Sequence, residues 1–192
     1  IVKYIVIDDY PCPECESLIR NIFPENTEII INEKNIGQAA SIDKAYSRVT
    51  TDFIFHCEDD WEFFNGGFVE KSIDVLNNDP SIYNTNLRIR FDGEKGSSHP
   101  ISPVAKSTEN GTMYYEYLHN YINVWHGFAW NPGLLKLDNY NQMKPYTQFV
   151  HEKGVNQRYK ELGFKAACLI DPYCKHIGTN RHVYNKDLGA NQ

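Results

Sequence analysis

Residues 53–61 read FIFHCEDDW, a short apolar run that is followed at once by Glu58, Asp59 and Asp60. An apolar run of this length, without polar alternation, is typical of a strand buried on both faces. Three adjacent carboxylates at the end of such a strand are costly unless something positive binds them. We therefore expect a divalent cation, Mn²⁺ or Mg²⁺, that bridges these acids to a diphosphate. A solvated turn at the start of a helix is the alternative.

The same pattern occurs upstream. Residues 4–7 form an apolar run that ends at Asp8 and Asp9, and residues 28–31 form another. Between the runs, residues 14–23 and 38–49 carry apolar side chains at helical spacing. The order strand, helix, strand, helix, strand predicts parallel βαβ units, with the ligand crevice at the carboxyl ends of the strands. The sequence thus predicts an α/β domain with a largely parallel central sheet, flanked by helices, and both acid groups in one cleft.

The second half of the chain reads differently and predicts a small antiparallel extension. Its apolar and polar residues alternate at first, and turn-forming residues then separate short apolar segments. The predicted elements are a half-exposed strand at 83–91, a surface loop at 92–111, a strand at 124–130, a turn at 131–133 into a short helix, a helix at 155–162 that ends at Gly163, and a last strand at 166–170.

The composition excludes several classes of protein. The chain has 192 residues, which suits one domain, and a formal net charge of −6, so it has no basic footprint for nucleic acid. Its longest apolar runs are far below the roughly 20 residues that span a bilayer. Five cysteines without regular spacing predict no disulfide framework, and we expect a reduced, cytoplasmic protein. The pair Cys12 and Cys15 has no second Cys-x-x-Cys partner, so we do not expect zinc or redox chemistry there.

A resemblance to a known family begins at residues 33–45, which read EKNIGQAASIDKA and run on to the acids at 58–60. This stretch resembles the family 2 glycosyltransferases of the Rossmann-like GT-A fold. Those enzymes carry an Asn-x-Gly turn, a small-residue helix, an apolar strand and an Asp-x-Asp (DXD) motif in this order. The resemblance covers nearly the whole chain, but Glu58 stands where the family usually has the first Asp. The family also opens with one more strand, so the first strand is expected to be missing from residues 1–192.

The resemblance implies an inverting hexosyltransferase that moves a sugar from a nucleoside diphosphate donor, expected to be a UDP-sugar, to a glycan or other hydroxyl acceptor. It places the nucleotide-sugar part at about 1–61 and the acceptor-side part at about 82–192. The family motifs imply the following roles: donor contacts from Asp8, Asp9 (reading the uracil base), Asn35, Gly37, Asp43, Glu58, Asp59 and Arg181; metal ligation by Asp60 and His176; acceptor contacts from Trp125, His126 and Trp130; and a catalytic base at Glu152, with His151 as the alternative.

Two other functions fit parts of the pattern. A nucleotidyltransferase shares the nucleotide-binding layout, but it needs a Gly-rich, basic triphosphate loop near its first strand, and none is visible here. A non-catalytic sugar-binding module would use the aromatic residues, 14% of the chain, together with a bound ion. Donor hydrolysis without acceptor separates the transferase from the binding module, because only the transferase releases free sugar.

Overall fold

The computed structural model describes residues 1–10, 14–88, 101–118, 127–149 and 152–178, with the side chain of Lys153 excepted. In chain order the described elements are β1 (Ile5–Asp8), α1 (Cys15–Ile22), β2 (Glu28–Ile31), α2 (Gln38–Tyr46), β3 (Phe53–His56), β4 (Trp61–Phe63), α3 (Phe68–Asn78), β5 (Ile82–Asn86), β6 (Lys106–Ser107), β7 (Met113–Glu116), β8 (Gly133–Lys136), α4 (Leu137–Met143), a 3₁₀ turn (Tyr146–Gln148), α5 (Glu152–Glu161), β9 (Lys165–Leu169) and β10 (Cys174–His176).

The central sheet has six strands in the order β3-β8-β5-β9-β7-β6, and helices flank it. The α/β fold class is therefore confirmed, but the sheet is mixed. Strand β8 lies antiparallel between β3 and β5, and of the pairings described in this sheet only β5–β9 is parallel. The prediction of a largely parallel sheet is wrong because it took β3 as the end of a βαβ unit, whereas β3 pairs with a strand from the second half of the chain.

Two smaller sheets complete the described pairings. Strands β1 and β2 are parallel to each other, as the βαβ pattern predicts, and Asp8 at the end of β1 lies opposite Ile31. Strands β4 and β10 are antiparallel, with Trp61 opposite His176. This second pair joins the segment after the three acids to the last described strand of the chain.

Strand β5 differs from its prediction in exposure. The alternation at 83–91 predicts a half-exposed strand, but all five residues of β5 are buried. The reason is its central position, with β8 on one side and β9 on the other and a packed layer on each face. Its polar residues are accommodated in part by each other, since Asn84 Nδ2 donates a hydrogen bond to Asn86 Oδ1. Residues 89–91 lie outside the described residues.

Strand β8 begins where the sequence predicts a turn into a helix. The sequence predicts Gly133 to be a turn residue, but in the structure it lets the backbones of β8 and β5 come close together. A Cβ on Gly133 would lie 2.6 Å from the Thr85 carbonyl oxygen. A strand at 124–130 is not confirmed, because 127–130 are not a strand and 124–126 lie outside the described residues. Part of the predicted loop at 92–111 is ordered against the sheet, with β6 paired to β7 and Ile101 bridged to Tyr117.

The core has two hydrophobic clusters, one on each face of the central sheet. Successive residues of β8, Leu134 and Leu135, contribute to different clusters, as the alternation of strand side chains requires. Helix α3 covers one face with Val75 and Leu76. On the other face, α2, α4 and α5 enclose a group of aromatic side chains that includes Tyr46, Tyr83, Phe128, Tyr140, Tyr146 and Tyr159.

The cysteines depart from the expectation of a reduced chain. Cys15, at the start of α1, is disulfide-bonded, whereas Cys57, Cys168 and Cys174 form no disulfide. Cys15 belongs to the Cys-x-x-Cys pair at 12 and 15, where we expected no redox chemistry; Cys12 lies outside the described residues. Among the described residues, no helix has both the length and the apolar character needed to cross a membrane.

Candidate active site

The predicted metal residues Asp60 and His176 are in direct contact. Asp60 lies between β3 and β4, and the antiparallel pairing of β4 with β10 brings His176 opposite Trp61. His176 Nε2 lies 2.9 Å from Asp60 Oδ2, and the backbone N–H of Ile177 donates to the Asp60 carbonyl oxygen at 2.8 Å. The backbone of Gly178 lies so close to Asp60 that a Cβ at this position would be 2.4 Å from Asp60 Oδ2. The fold thus joins two residues that are 116 positions apart.

The second carboxylate oxygen of Asp60 makes the pair suitable for a cation. Asp60 Oδ1 is buried and has no hydrogen-bond partner within the protein. A buried acceptor of this kind requires a compensating partner, and an oxygen beside an imidazole nitrogen suits Mn²⁺. Within the described residues there is no group of three or more His, Cys, Asp or Glu side chains placed to hold a metal. Asp60 and His176 would therefore supply only part of a coordination shell.

Two further carboxylates, Glu58 and Glu152, lie near enough to influence each other. Burial, followed by the charge of Asp60, raises the pKa of Glu58. Burial, followed by the charge of Glu58, raises the pKa of Glu152 to about 7. Glu58 also accepts a hydrogen bond from Gln38 Nε2 at the start of α2. The structure thus gathers Glu58, Asp60 and Glu152 into one acidic region, while Asp59 between them is exposed.

Asp9, at the end of β1, has a different environment. Its Oδ1 accepts hydrogen bonds from Asn32 Nδ2 at 2.9 Å and from the Ile36 N–H at 2.8 Å, and its Oδ2 accepts one from the Gly37 N–H at 2.7 Å. Partial burial acts to raise its pKa, but these hydrogen bonds, together with one from the Ser41 side chain, lower it overall. Asn35 Oδ1 accepts from the same Gly37 N–H at 3.0 Å. These contacts fix the turn before α2, where Gly37 has a φ of 88°.

The environment of Asp9 bears on the predicted role of this aspartate. A base contact needs a free acceptor, and the acceptors of Asp9 are already used by the turn. Asp8 has one described contact of this kind, from the Tyr10 N–H to its Oδ1 at 3.0 Å. The donor roles of Asp8, Asp9, Asn35 and Gly37 stay predictions, and the geometry gives Asp9 the part of a positioning residue.

Both carboxylate oxygens of Asp43 also accept hydrogen bonds from within the protein. Its Oδ1 accepts from Tyr140 Oη at 2.7 Å and from the Tyr146 N–H at 2.8 Å, and its Oδ2 accepts from the Thr147 N–H at 2.9 Å. These bonds join α2 to the segment after α4. The predicted donor contact of Asp43 is untested, and its contacts in the structure are those of a positioning residue.

The predicted acceptor side is described only at Trp130. Trp125, His126, His151 and Arg181 lie outside the described residues. The Trp130 ring packs on Phe128 and Tyr146, with centroid distances of 5.8 and 6.1 Å. Its backbone carbonyl accepts a hydrogen bond from the ring of His56.

Sequence reasoning missed a pocket beside Trp130. Trp130, His56 and Tyr46 line this pocket, together with Asn84 of β5. The signal available for it was slight: His56 is the one polar residue of the β3 run FIFH.

Comparison with known proteins identifies the family. A family model described as Glycosyl transferase family 2 matches residues 1–135. The chain belongs to glycosyl transferase family 2. This membership confirms the resemblance carried by residues 33–60.

Two individual proteins illustrate the relationship. The uncharacterized glycosyltransferase YwdF of Bacillus subtilis (strain 168) is 24% identical over 122 residues, which cover 56% of this chain and 45% of YwdF. A crystal structure of GalNAc-T7 with UDP, GalNAc and Mn²⁺ matches 91% of this chain with a TM-score of 0.64 at 11% identity, so the likeness shows the fold, which is GT-A. The chain spans under half of YwdF and 37% of the GalNAc-T7 chain.

Proposed function

We propose that this family 2 domain transfers a sugar from a UDP-sugar to a hydroxyl acceptor, with inversion and with a divalent metal. The observation that carries the proposal is the buried, unpartnered Oδ1 of Asp60 beside His176. Glu58 lies close enough to Asp60 to be affected by its charge and, after burial, helps to raise the pKa of Glu152 to about 7. The structural relative GalNAc-T7 was crystallised with UDP and Mn²⁺, which supports the choice of nucleotide and metal.

The residues on the metal side are Asp60 and His176. A metal held there would supply Lewis-acid stabilisation of the leaving diphosphate. Asp60 would offer Oδ1 and His176 would offer a ring nitrogen, while the contact of Ile177 N–H with the Asp60 carbonyl keeps β10 against the acid. With only two such side chains in the described part of the chain, the donor phosphates and water would complete the shell.

The residue on the acceptor side is Glu152. In a direct displacement the acceptor oxygen forms a bond to the anomeric carbon, the bond from that carbon to the diphosphate oxygen breaks, and the acceptor proton passes to a base. A carboxylate with a pKa of about 7 is well matched to that task, because it is substantially ionised at neutral pH and is still basic enough to take a proton. Burial at the start of α5 produces this property.

The test is donor binding by Asp60→Asn. Asparagine keeps the size of the side chain and removes the charge that a cation needs, so we expect UDP binding in Mn²⁺, followed by calorimetry, to be lost while the protein remains folded. The matched control is Glu62→Gln, in β4 just after the acids, where the side chain is exposed and paired with Lys175 at 2.8 Å. Full UDP affinity in Asp60→Asn would show that Asp60 holds no metal.

A further inference from the structure

Trp61 follows the three acids directly and is the first residue of β4. Its side chain is buried and belongs to the hydrophobic cluster that α3 covers. Because side chains alternate along a strand, Trp61 and Phe63 face this cluster, and Glu62 between them is exposed. A large buried ring therefore stands next to Asp60 in the chain.

The ring of Trp61 packs on the imidazole of His176. The pairing of β4 with β10 places the two residues opposite each other. Their ring centroids are 5.1 Å apart, and the ring planes are tilted by 49°. The side chain of His176 is only 15% exposed, so protein atoms surround most of the imidazole. The indole therefore limits how far the imidazole can turn.

The orientation of the imidazole decides whether His176 faces Asp60. Its Nε2 lies 2.9 Å from Asp60 Oδ2 in the structure. The torsion that turns a histidine ring has a broad distribution, so the surroundings of the ring must select the orientation. Ile177 and Gly178 act on the backbone at this point, through the bond to the Asp60 carbonyl and through the lack of a side chain. Trp61 acts on the ring itself.

The indole is in turn held by its own neighbours. The guanidinium of Arg88 lies over the ring of Trp61, 5.3 Å from the centroid, which is a cation–π distance. A backbone bridge joins Arg88 to Cys174 of β10. The indole N–H is buried and makes no hydrogen bond of normal geometry, but it lies near enough to Glu58 to oppose the rise in pKa that burial and Asp60 produce there. The indole is thus a fixed surface for the imidazole.

An imidazole nitrogen at the metal site matters differently to the two candidate cations. Mg²⁺ takes oxygen ligands in near-ideal octahedral geometry and keeps several waters. Mn²⁺ accepts an imidazole nitrogen beside oxygen ligands. An imidazole that is held toward Asp60 therefore favours Mn²⁺ over Mg²⁺. If the imidazole turned away, Mn²⁺ would lose a ligand, whereas Mg²⁺ would lose little.

We propose that Trp61 is a positioning residue that holds the imidazole of His176 toward Asp60 and thereby sets a preference for Mn²⁺ over Mg²⁺. The inference rests on the proposed metal-dependent function and adds to it a residue that binds neither the metal nor the sugar. Without the ring, the imidazole has several orientations, and Mn²⁺ has to select one of them. Its affinity falls by the fraction of the protein that is in the correct orientation.

The test compares Trp61→Leu with Trp61→Phe. Leucine keeps an apolar side chain and removes the aromatic surface, whereas phenylalanine keeps a ring against the imidazole. Calorimetry of UDP binding at increasing Mn²⁺ or Mg²⁺ gives the metal concentration for half-maximal UDP affinity. In Trp61→Leu we expect this concentration to rise about 3- to 10-fold for Mn²⁺, the range of an aromatic contact, and to stay unchanged for Mg²⁺. Trp61→Phe should restore the Mn²⁺ value, and saturating Mn²⁺ should restore UDP affinity in Trp61→Leu.

The matched control is Phe63→Leu, which removes a ring from the same strand. Phe63 lies opposite Cys174 and packs on Phe55 and Phe68, with centroid distances of 5.9 and 5.5 Å. Its loss should lower the melting temperature, as Trp61→Leu does, and leave the half-maximal concentrations of both metals unchanged. If Trp61→Leu does not fold, Trp61→Met takes its place, because the flexible methionine side chain fills more of the space and also lacks the ring.

A double-mutant cycle shows whether Trp61 acts through His176. In protein that carries His176→Gln, the Trp61→Leu change should add no further shift for Mn²⁺, because the ligand that the ring positions is already gone. An additional shift of the same size as in the parent would show that Trp61 acts on the metal by another route and would overturn the proposal.

The remaining outcomes separate this proposal from the transferase function. If the parent needs a metal to bind UDP, but Trp61→Leu leaves the Mn²⁺ value unchanged or shifts the values for Mn²⁺ and Mg²⁺ equally, the positioning role is rejected and the transferase proposal stands. If the parent binds UDP without a metal, or does not bind it, the metal-dependent function fails, and the positioning role fails with it.

Discussion

The ends of β1 and β3 look alike in the sequence but differ in the structure. Each apolar run is followed by acids, Asp8-Asp9 in one case and Glu58-Asp59-Asp60 in the other. At β1, four protein donors, including the Ser41 side chain, bind the carboxylate of Asp9, and its pKa is lowered. At β3, Asp60 has a buried oxygen without a partner, and the pKa of Glu58 is raised.

The two acids differ in how far the protein satisfies their oxygens: Asp9 accepts hydrogen bonds from the protein, whereas Asp60 keeps one oxygen without a protein partner. Hydrogen bonds to a carboxylate stabilise its charge and lower its pKa, whereas burial beside other carboxylates does the opposite. Asp9 therefore helps to hold the protein together. The region of Glu58, Asp60 and Glu152 is held in an unfavourable electrostatic state that a cation or a proton relieves.

The largest expected effect concerns Glu152, the most strongly shifted carboxylate of that region. Glu152→Gln preserves size and removes the proposed base, so we expect turnover to fall by roughly 10²–10⁴ with donor affinity nearly intact. Because the base acts when ionised and its pKa is about 7, wild-type turnover should fall about tenfold per pH unit below pH 7. In the variant this dependence should disappear. Steady-state kinetics from pH 5 to 9 measure both quantities.

The control for this variant is Glu161→Gln at the exposed end of the same helix, which should retain turnover. Glu161 lies 3.5 Å from Arg158, an exposed pair whose loss should cost little. If His151→Ala abolishes turnover and Glu152→Gln does not, the base is His151 instead.

A smaller effect, on stability, tests the comparison itself. Asp9→Asn replaces one acceptor by a donor that faces the N–H groups of the turn, so we expect the free energy of unfolding to fall by about 1.5–3 kcal/mol. Asp60→Asn removes a charge from a crowded acidic region and keeps an oxygen that can face His176, so the free energy of unfolding should fall by less than in Asp9→Asn. Urea unfolding of both variants without metal measures the difference. If Asp9→Asn unfolds like the parent but binds UDP weakly, Asp9 reads the base and the comparison fails.

The smallest effect concerns Asp43, which resembles Asp9 in having its acceptors occupied. Tyr140→Phe removes the hydroxyl that donates to Asp43 Oδ1 and should lower the free energy of unfolding by about 1 kcal/mol. Tyr159→Phe is the counterpart, because its hydroxyl is buried without a partner and its removal should cost nothing. Equal losses in both variants would mean that the bond to Asp43 contributes nothing of its own.

Local patterns in the sequence predicted the local elements well. Apolar spacing predicted α1, α2 and α5, and apolar runs predicted β1, β2, β3 and β9. Pairing was harder, because it depends on residues far apart: β8 lies between β3 and β5, and Gly133 reads as a turn although it serves backbone contact with Thr85. The burial of β5 follows from its place in the sheet, which its own alternation does not encode.

From the sequence, the candidate site could be proposed only where one motif supplies the chemistry. The acids at 58–60 stand out by themselves, and the family resemblance adds His176 and Glu152. Hydrogen-bond partners were not predictable, because the donors to Asp9 and Asp43 come from residues 23 to 104 positions away. For the same reason His56 gave little signal: its neutral state depends on burial and on a carbonyl from another segment.

Gly178 is part of the site although it has no functional group. The residue carries no side chain and offers no ligand, yet any side chain there would be driven into the Asp60 carboxylate, with the first carbon 2.7 Å from Asp60 Cβ. In a survey of random substitutions scored by activity, position 178 would therefore be sensitive to change. The cause would be steric contact with Asp60, since glycine has no functional group to lose. Tolerance to mutation at this site is set by the space around the acid as well as by the acid itself.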